Sequence, residues 1–185
     1  AIQQVYWDAL EAVRVECQDN LIRIATLASG VVDPSLHDRL IQPEDEQTPE
    51  YAAAVAPLRG MLSASPSIKY IYTARRTTAG GLAFVLDPTP HCDENDDGRD
   101  DHTPPGTAWL DAPDAVLSAL EHGIPTVTAR PYHDTWGGFM SAWAPMKNAD
   151  GSRPCRPSMI EPWPLISSMS LTQTSSQDRP CGLIR

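Results

Sequence analysis

"SIKYIYTARRTTAGGLAFVLD", residues 67–87, holds two short apolar runs joined by a glycine-containing turn, and the class of the fold turns on it. Ile68, Tyr70 and Tyr72 alternate with Lys69, Ile71 and Thr73, a period of two that belongs to a strand. "GLAFVLD" is a compact apolar run behind Gly80 and Gly81. The pattern predicts a hairpin of two strands.

Upstream the period becomes helical. Val5, Leu10, Val13, Leu21, Ile24 and Leu27 predict one long amphipathic helix over the first thirty residues, with Gly30 as its stop. "DPSLHDRL" predicts a short helix capped by Asp33 with Pro34 in the first turn, and "TPEYAAAVAPLRGMLSAS" predicts another with Thr48 and Pro49 in the same roles. Downstream, "APDAVLSALEHG" reads as a helix ended by Gly123, with Asp111 and Asp114 as caps. "PTVTARPY" and "GFMSAWAPM" then read as a second strand pair across "HDTWG". This order makes the fold class α+β, a long N-terminal helix packed on an antiparallel sheet.

The 185 residues fit one globular domain, with room for a small second one. A formal charge of −10 argues against a nucleic-acid partner, and five Trp with five Tyr supply a real core. No apolar run is long enough to span a bilayer. The start "AIQQVYWDALEAV" has no initiator Met, so the chain is expected to be part of a longer protein, with any membrane segment outside it. Four cysteines, Cys17, Cys92, Cys155 and Cys181, form no CxxC, which argues against a zinc ribbon and leaves the redox compartment open.

"SIKYIYTARR", "GLAFVLDPTP" and "DTWGGFMSAWAPMKNADGS" together resemble, in sequence and order, the extracytoplasmic PAS-like sensor domains of the Cache type, over about residues 1–152. Those domains precede membrane helices in bacterial histidine kinases, diguanylate and adenylate cyclases and chemoreceptors. The resemblance implies a PAS-like sheet that encloses a small-molecule ligand, a periplasmic or extracellular location, and signalling through the long helix to an output domain elsewhere. It also makes a homodimer of the intact protein reasonable. Carried over by residue, Tyr70, Tyr72, Arg75, Asp87, Asp134, Trp136 and Ser141 would line or support the pocket. The residues alone add that a Tyr or Trp has an apolar body with one hydrogen-bonding tip, and that Arg75 or Arg76 could clamp a carboxylate. The plainer alternatives are core packing for the tyrosines and turn capping for Asp134.

A second feature lies in "HCDENDDGRDDHTPPG", residues 91–106, where six acids face one arginine between His91 and Asp101. Asp93, Asn95, Asp97, Gly98 and Asp101 match D-x-[DN]-x-[DN]-G-x-x-D, with Arg99 giving its backbone carbonyl. That spacing suits calcium, which takes six to eight hard oxygens around a glycine turn. Pro104 stands where a full EF-hand has its bidentate Glu, so a shorter aspartate-rich loop of weak affinity is expected, and a solvated acidic loop is the alternative.

Enzyme readings have less behind them. Ser141 lacks a G-x-S-x-G elbow, the five histidines form no H-x-x-x-H pair, and "TTAGGLAF" lacks the G-K-[ST] of a P-loop. His91, Cys92 and His102 could meet around zinc, but no fourth ligand is evident. A metal-dependent hydrolase using the acidic loop is kept as the alternative to a sensor.

After "APMKNADGS" the family continues into an apolar closing strand. Here residues 153–185 carry five prolines and repeated serines instead. A shifted reading frame near Gly151–Ser152, or an appended segment, is the expectation. A poorly packed tail and a sheet short by one strand would follow.

Overall fold

The computed structural model describes residues 2–93, 98–134, 137–146 and 164–167. Helix α1, Ile2–Val31, buries Leu21, Ala25 and Ala28, positions four and then three apart on one face. Val5, Leu10, Val13 and Leu27 are exposed. Gly30 falls inside the last turn instead of stopping the helix; the chain breaks before Asp33-Pro34, where proline disfavours helical geometry in the residue ahead of it.

Helix α2, Pro34–His37, is capped by Asp33, whose carboxylate accepts the Ser35 amide at 2.8 Å. Helix α3, Pro49–Ala64, starts at Thr48, whose hydroxyl accepts from the Tyr51 amide. Between them lies a 3-10 helix, Pro43–Gln47, which the sequence pattern did not suggest. The expected hairpin forms from β1, Tyr72–Arg76, and β2, Leu82–Leu86. A two-residue strand, β3, Ala108–Trp109, precedes α4, Asp114–His122. That helix ends on a left-handed Gly123, but its N-cap is Pro113, so neither Asp111 nor Asp114 caps it by a side-chain bond. Then follow β4, Thr126–Val127; β5, Tyr132–Asp134; β6, Gly137–Phe139; β7, Ala142–Pro145; and β8, Pro164–Ser167.

Among the described residues, six strands form an antiparallel sheet in the order β3-β2-β1-β8-β7-β4, and β5 pairs with β6 in a separate hairpin. The expectation that the sheet lacks a strand is corrected. Pro164–Ser167 pairs with both β1 and β7, and its proline stands at the first position, where a strand tolerates one. The rest of the expected tail lies outside the described residues.

The helices cover one face of the sheet. Ala28, Val32, Val55 and Leu58 pack on Ile71, Val85, Leu86 and Met146, while Leu21 and Ala25 pack on Met140, Ala142 and Ala144. On the opposite face α4 sets Val116 and Ala119 against Leu82 and Trp143. The structure is thus α+β with helices on both faces of an antiparallel sheet.

Candidate functional site

Beside α4, the second face of the sheet is open. Tyr70, Tyr72, Phe84 and Trp109 meet there with Tyr132 and Phe139 of the small hairpin, around a cavity of about 730 Å³. The rings pack edge to face, Tyr72 on Phe84 at 5.1 Å and on Trp109 at 5.5 Å, and Tyr70 on Phe139 at 5.8 Å; Phe84 and Trp109 stack at 5.1 Å. Such geometry sets positive ring edges against negative ring faces, where they attract, and it holds the wall in one arrangement.

A bulge aims a carboxylate into this wall. Opposite Thr73 stands Leu86, but opposite Ala74 stands Phe84, so β2 carries one extra residue. Val85 and Leu86 therefore both enter the helical core, and Phe84 and Asp87 both line the cavity. Asp87 is buried at 5 % exposure, and its two oxygens accept the amides of Thr89 and Thr103, each at 2.9 Å. Burial pushes its carboxyl above the usual range, against those hydrogen bonds, which hold it down. Behind it, Tyr51 donates its hydroxyl to the Asp87 carbonyl at 3.1 Å, and burial raises that phenol.

Of the pocket residues expected from sequence, Tyr70, Tyr72, Asp87 and Ser141 converge on the cavity. Arg75 does not. Its guanidinium lies on the helical face, donating to the carbonyls of His37 and Asp38 at the end of α2. A carboxylate clamp by Arg75 is therefore corrected to a clamp on a helix C-terminus, a place that favours a cation. Asp134 closes β5 opposite Gly137, and Trp136 lies outside the described residues. Sequence reading missed Phe84, Trp109 and Tyr132, each an aromatic on a strand; the alternation of Leu82 and Phe84 was the available signal.

Among the described lining residues there is no lysine or arginine, whereas Asp87, Asp101 and Asp111 all contribute. Cavity chemistry is thus aromatic and acidic. Asp101, expected as a calcium ligand, is buried at 4 % and turned to this cavity. Asn95 and Asp97 lie outside the described residues. Asp93 accepts the Gly98 amide at 2.7 Å, and Gly98 sits at a left-handed φ of 83°, as the expected turn requires. Arg99 is exposed.

The neck of the acidic loop gathers a separate cluster. Asp100 ties it shut: one oxygen accepts the amides of Cys92 and His102 at 3.0 and 2.9 Å, and the other binds His91 Nδ1 at 2.7 Å. His91 and His102 are thereby held with ring centres 4.1 Å apart, both against Glu46 of the 3-10 helix. Hydrogen bonds to Asp100 and then Glu46 raise the basicity of His91. Cys92 is disulfide-bonded and its sulfur is not part of the Glu46, His91 and His102 group, while Cys17 is a free thiol, half-buried on α1.

The neck stands against α3 and the 3-10 helix, and the aromatic cavity lies on the other side of Asp87. No protein-family model matches the chain, and no curated protein matches it either.

Proposed function

We propose that this chain is a ligand-sensing domain of the PAS-like, Cache-type plan, binding a small cationic molecule in the aromatic cavity and passing the change to α1. The observation that carries this reading is the lining itself: six aromatic rings with Asp87, Asp101 and Asp111, and no lysine or arginine among the described lining residues. An ammonium group is attracted both to ring faces and to buried carboxylates, while a free carboxylate meets no lysine or arginine there and faces three aspartates.

The route to α1 is short. Ser141 forms part of the cavity wall, and its neighbours Met140 and Ala142 pack beneath Leu21 and Ala25 of α1. Farther along, Gln18 donates to the Thr128 carbonyl at 2.8 Å and Arg14 to the Ala129 carbonyl at 2.8 Å, on the segment that leads into Tyr132. A ligand that moves this wall has a differential contact with the helix, which a population shift needs. Among the described residues no helix is long and apolar enough to cross a membrane, and the reading places membrane segments and output domain elsewhere in the protein. The disulfide at Cys92 accords with an extracytoplasmic setting.

A thermal-shift screen of amines, amino acids and organic acids tests the proposal, run beside esterase and phosphatase assays. Saturable stabilisation by amines without turnover is expected. Stabilisation by organic acids alone would refute the cationic ligand, and turnover abolished by chelation would replace the sensor with a metal-dependent hydrolase. Calcium in the acidic loop belongs to the same proposal: calorimetry should find one weak site, lost in Asp93→Ala.

A further inference from the structure

The Glu46, His91 and His102 cluster has a use that the sensor reading does not touch. Glu46 and His91 stand 45 residues apart in the chain, and the closed neck of the loop brings His102 beside them. His102 Nδ1 lies 2.8 Å from the Thr89 carbonyl and donates to it, which leaves Nε2 facing the cluster. That Nε2 is buried and has no hydrogen-bond partner, although Glu46 Oε1 is only 2.8 Å away, out of line for a bond. His91 is fixed in the same sense. Its Nδ1 faces the Asp100 carboxylate at 2.7 Å and its Nε2 faces the same Glu46 oxygen at 2.9 Å.

Two imidazoles anchored through Nδ1, one on a carboxylate and one on a backbone carbonyl, present both Nε2 atoms to one carboxylate oxygen. Outer partners of this kind orient histidines that ligate metals. We propose that Glu46, His91 and His102 bind one divalent transition-metal ion of the zinc class. The three ligand atoms all lie within 4.8 Å of one another. A tetrahedral ion with bonds of about 2.0 to 2.2 Å separates its ligands by roughly 3.3 to 3.6 Å, so the Glu46 contacts need open by less than about 1 Å. Two nitrogens and one oxygen select zinc over calcium or magnesium, which take oxygen sets. The fourth position opens on a groove of about 430 Å³ lined by Tyr51, Ser63 and Arg59, where water or a small anion completes the shell. The ion staples the loop neck to the 3-10 helix, independently of the ligand cavity.

The test uses the full chain, stripped with EDTA, dialysed, and titrated with zinc in a calorimeter, with cobalt as a spectroscopic stand-in. One equivalent of zinc should bind, and cobalt should show the visible bands of a low-coordinate site. His91→Ala changes an exposed side chain, and Glu46→Gln keeps shape; each should weaken zinc at least tenfold, while Asp93→Ala leaves it unchanged. Zinc should raise the melting temperature of the parent chain and not that of His91→Ala. Absence of a zinc site in the folded parent, or parental affinity in both variants, overturns the proposal; so does loss of zinc in Asp93→Ala, which would move the ion to the acidic loop.

Discussion

Ser141 Oγ lies 2.9 Å from the Tyr132 hydroxyl, a contact that joins the start of β7 to the small hairpin across the cavity wall. Ser141 is also tied by its backbone, its amide donating to Thr128 Oγ1 at 3.1 Å and its carbonyl accepting the Thr128 amide at 2.9 Å. The hydroxyl pair is thus an addition to a strand already in place, and its loss should not unravel the strand. Tyr132→Phe and Ser141→Ala should each cost about 1 kcal/mol in urea unfolding, and the double variant should cost little more than the worse single one. A coupling near zero would mean that the two hydroxyls do not share a bond.

Gly106 has a positive φ of 81°, and a Cβ there would sit against the Ile41 carbonyl well inside van der Waals contact. Its amide donates to the Phe84 carbonyl at 2.8 Å, so it also holds the approach to β3. Gly80 has a similar φ of 87° with open space around it. Gly80→Ala should therefore cost only the left-handed strain, about 1 to 2 kcal/mol, and Gly106→Ala clearly more, since backbone must move. Equal losses in denaturant midpoint would show that the Ile41 contact does not matter.

The contrast between these glycines also separates what could be read in the chain from what could not. Asp33, Thr48 and Gly123 act within a turn of their own residues, so the helix boundaries they set were legible. Tyr70 and Tyr72 declared their face by alternation. Arg75 obeys the same alternation, yet its partners at the end of α2 are 37 and 38 residues away, and no local pattern contains them. The bulge that turns Asp87 into the cavity depends on how β2 registers with β1, and a single extra residue is invisible before pairing. The 3-10 helix is held by local bonds that no hydrophobic period marks: Asp45 accepts the amides of Ile41 and Gln42, beside Pro43 in the first turn. Without that helix Glu46 has no place near His91, which explains why the histidines looked short of ligands.

His37 gives the fold an acid sensitivity. It is fully buried, with Nε2 2.9 Å from Thr73 Oγ1, and the hydroxyl in turn accepts the Leu86 amide. Burial first, and then the Arg75 charge, lower its basicity well below the usual 6.5. The folded state thus keeps the ring neutral where the unfolded chain would protonate it. Above pH 6.5 both states are neutral and the group costs nothing; as pH falls below 6.5, unfolding takes up a proton and stability drops, by at most about 1.4 kcal/mol per pH unit. His91 is shifted the opposite way and is present in both proteins compared, so the parent minus His37→Gln isolates the effect. His37→Gln should be less stable at neutral pH and have a flatter loss of stability between pH 6.5 and 5, followed by chemical denaturation. Parallel curves would mean that His37 titrates normally.

The cationic ligand makes opposite demands on Asp87 and Arg75. Asp87→Asn retains the volume and one acceptor oxygen, but its NH₂ group must face either the Thr89 or the Thr103 amide, so about 1 to 3 kcal/mol of stability should go with it. The same change removes the buried negative charge, and amine affinity should fall roughly tenfold or more, the usual scale for a charged hydrogen bond. In the parent chain, amine binding should weaken in acid as Asp87 protonates, starting at a higher pH than an ordinary carboxylate would give, because burial has raised it. Arg75→Lys loses the fork that holds the His37 and Asp38 carbonyls, so stability should drop by about 1 kcal/mol while amine affinity stays within twofold. A carboxylate-binding pocket served by Arg75 predicts the reverse. Titration calorimetry on both variants, using the best amine and the best organic acid from the thermal-shift screen, therefore decides between the two, and loss of binding in Arg75→Lys alone would return the site to the clamp.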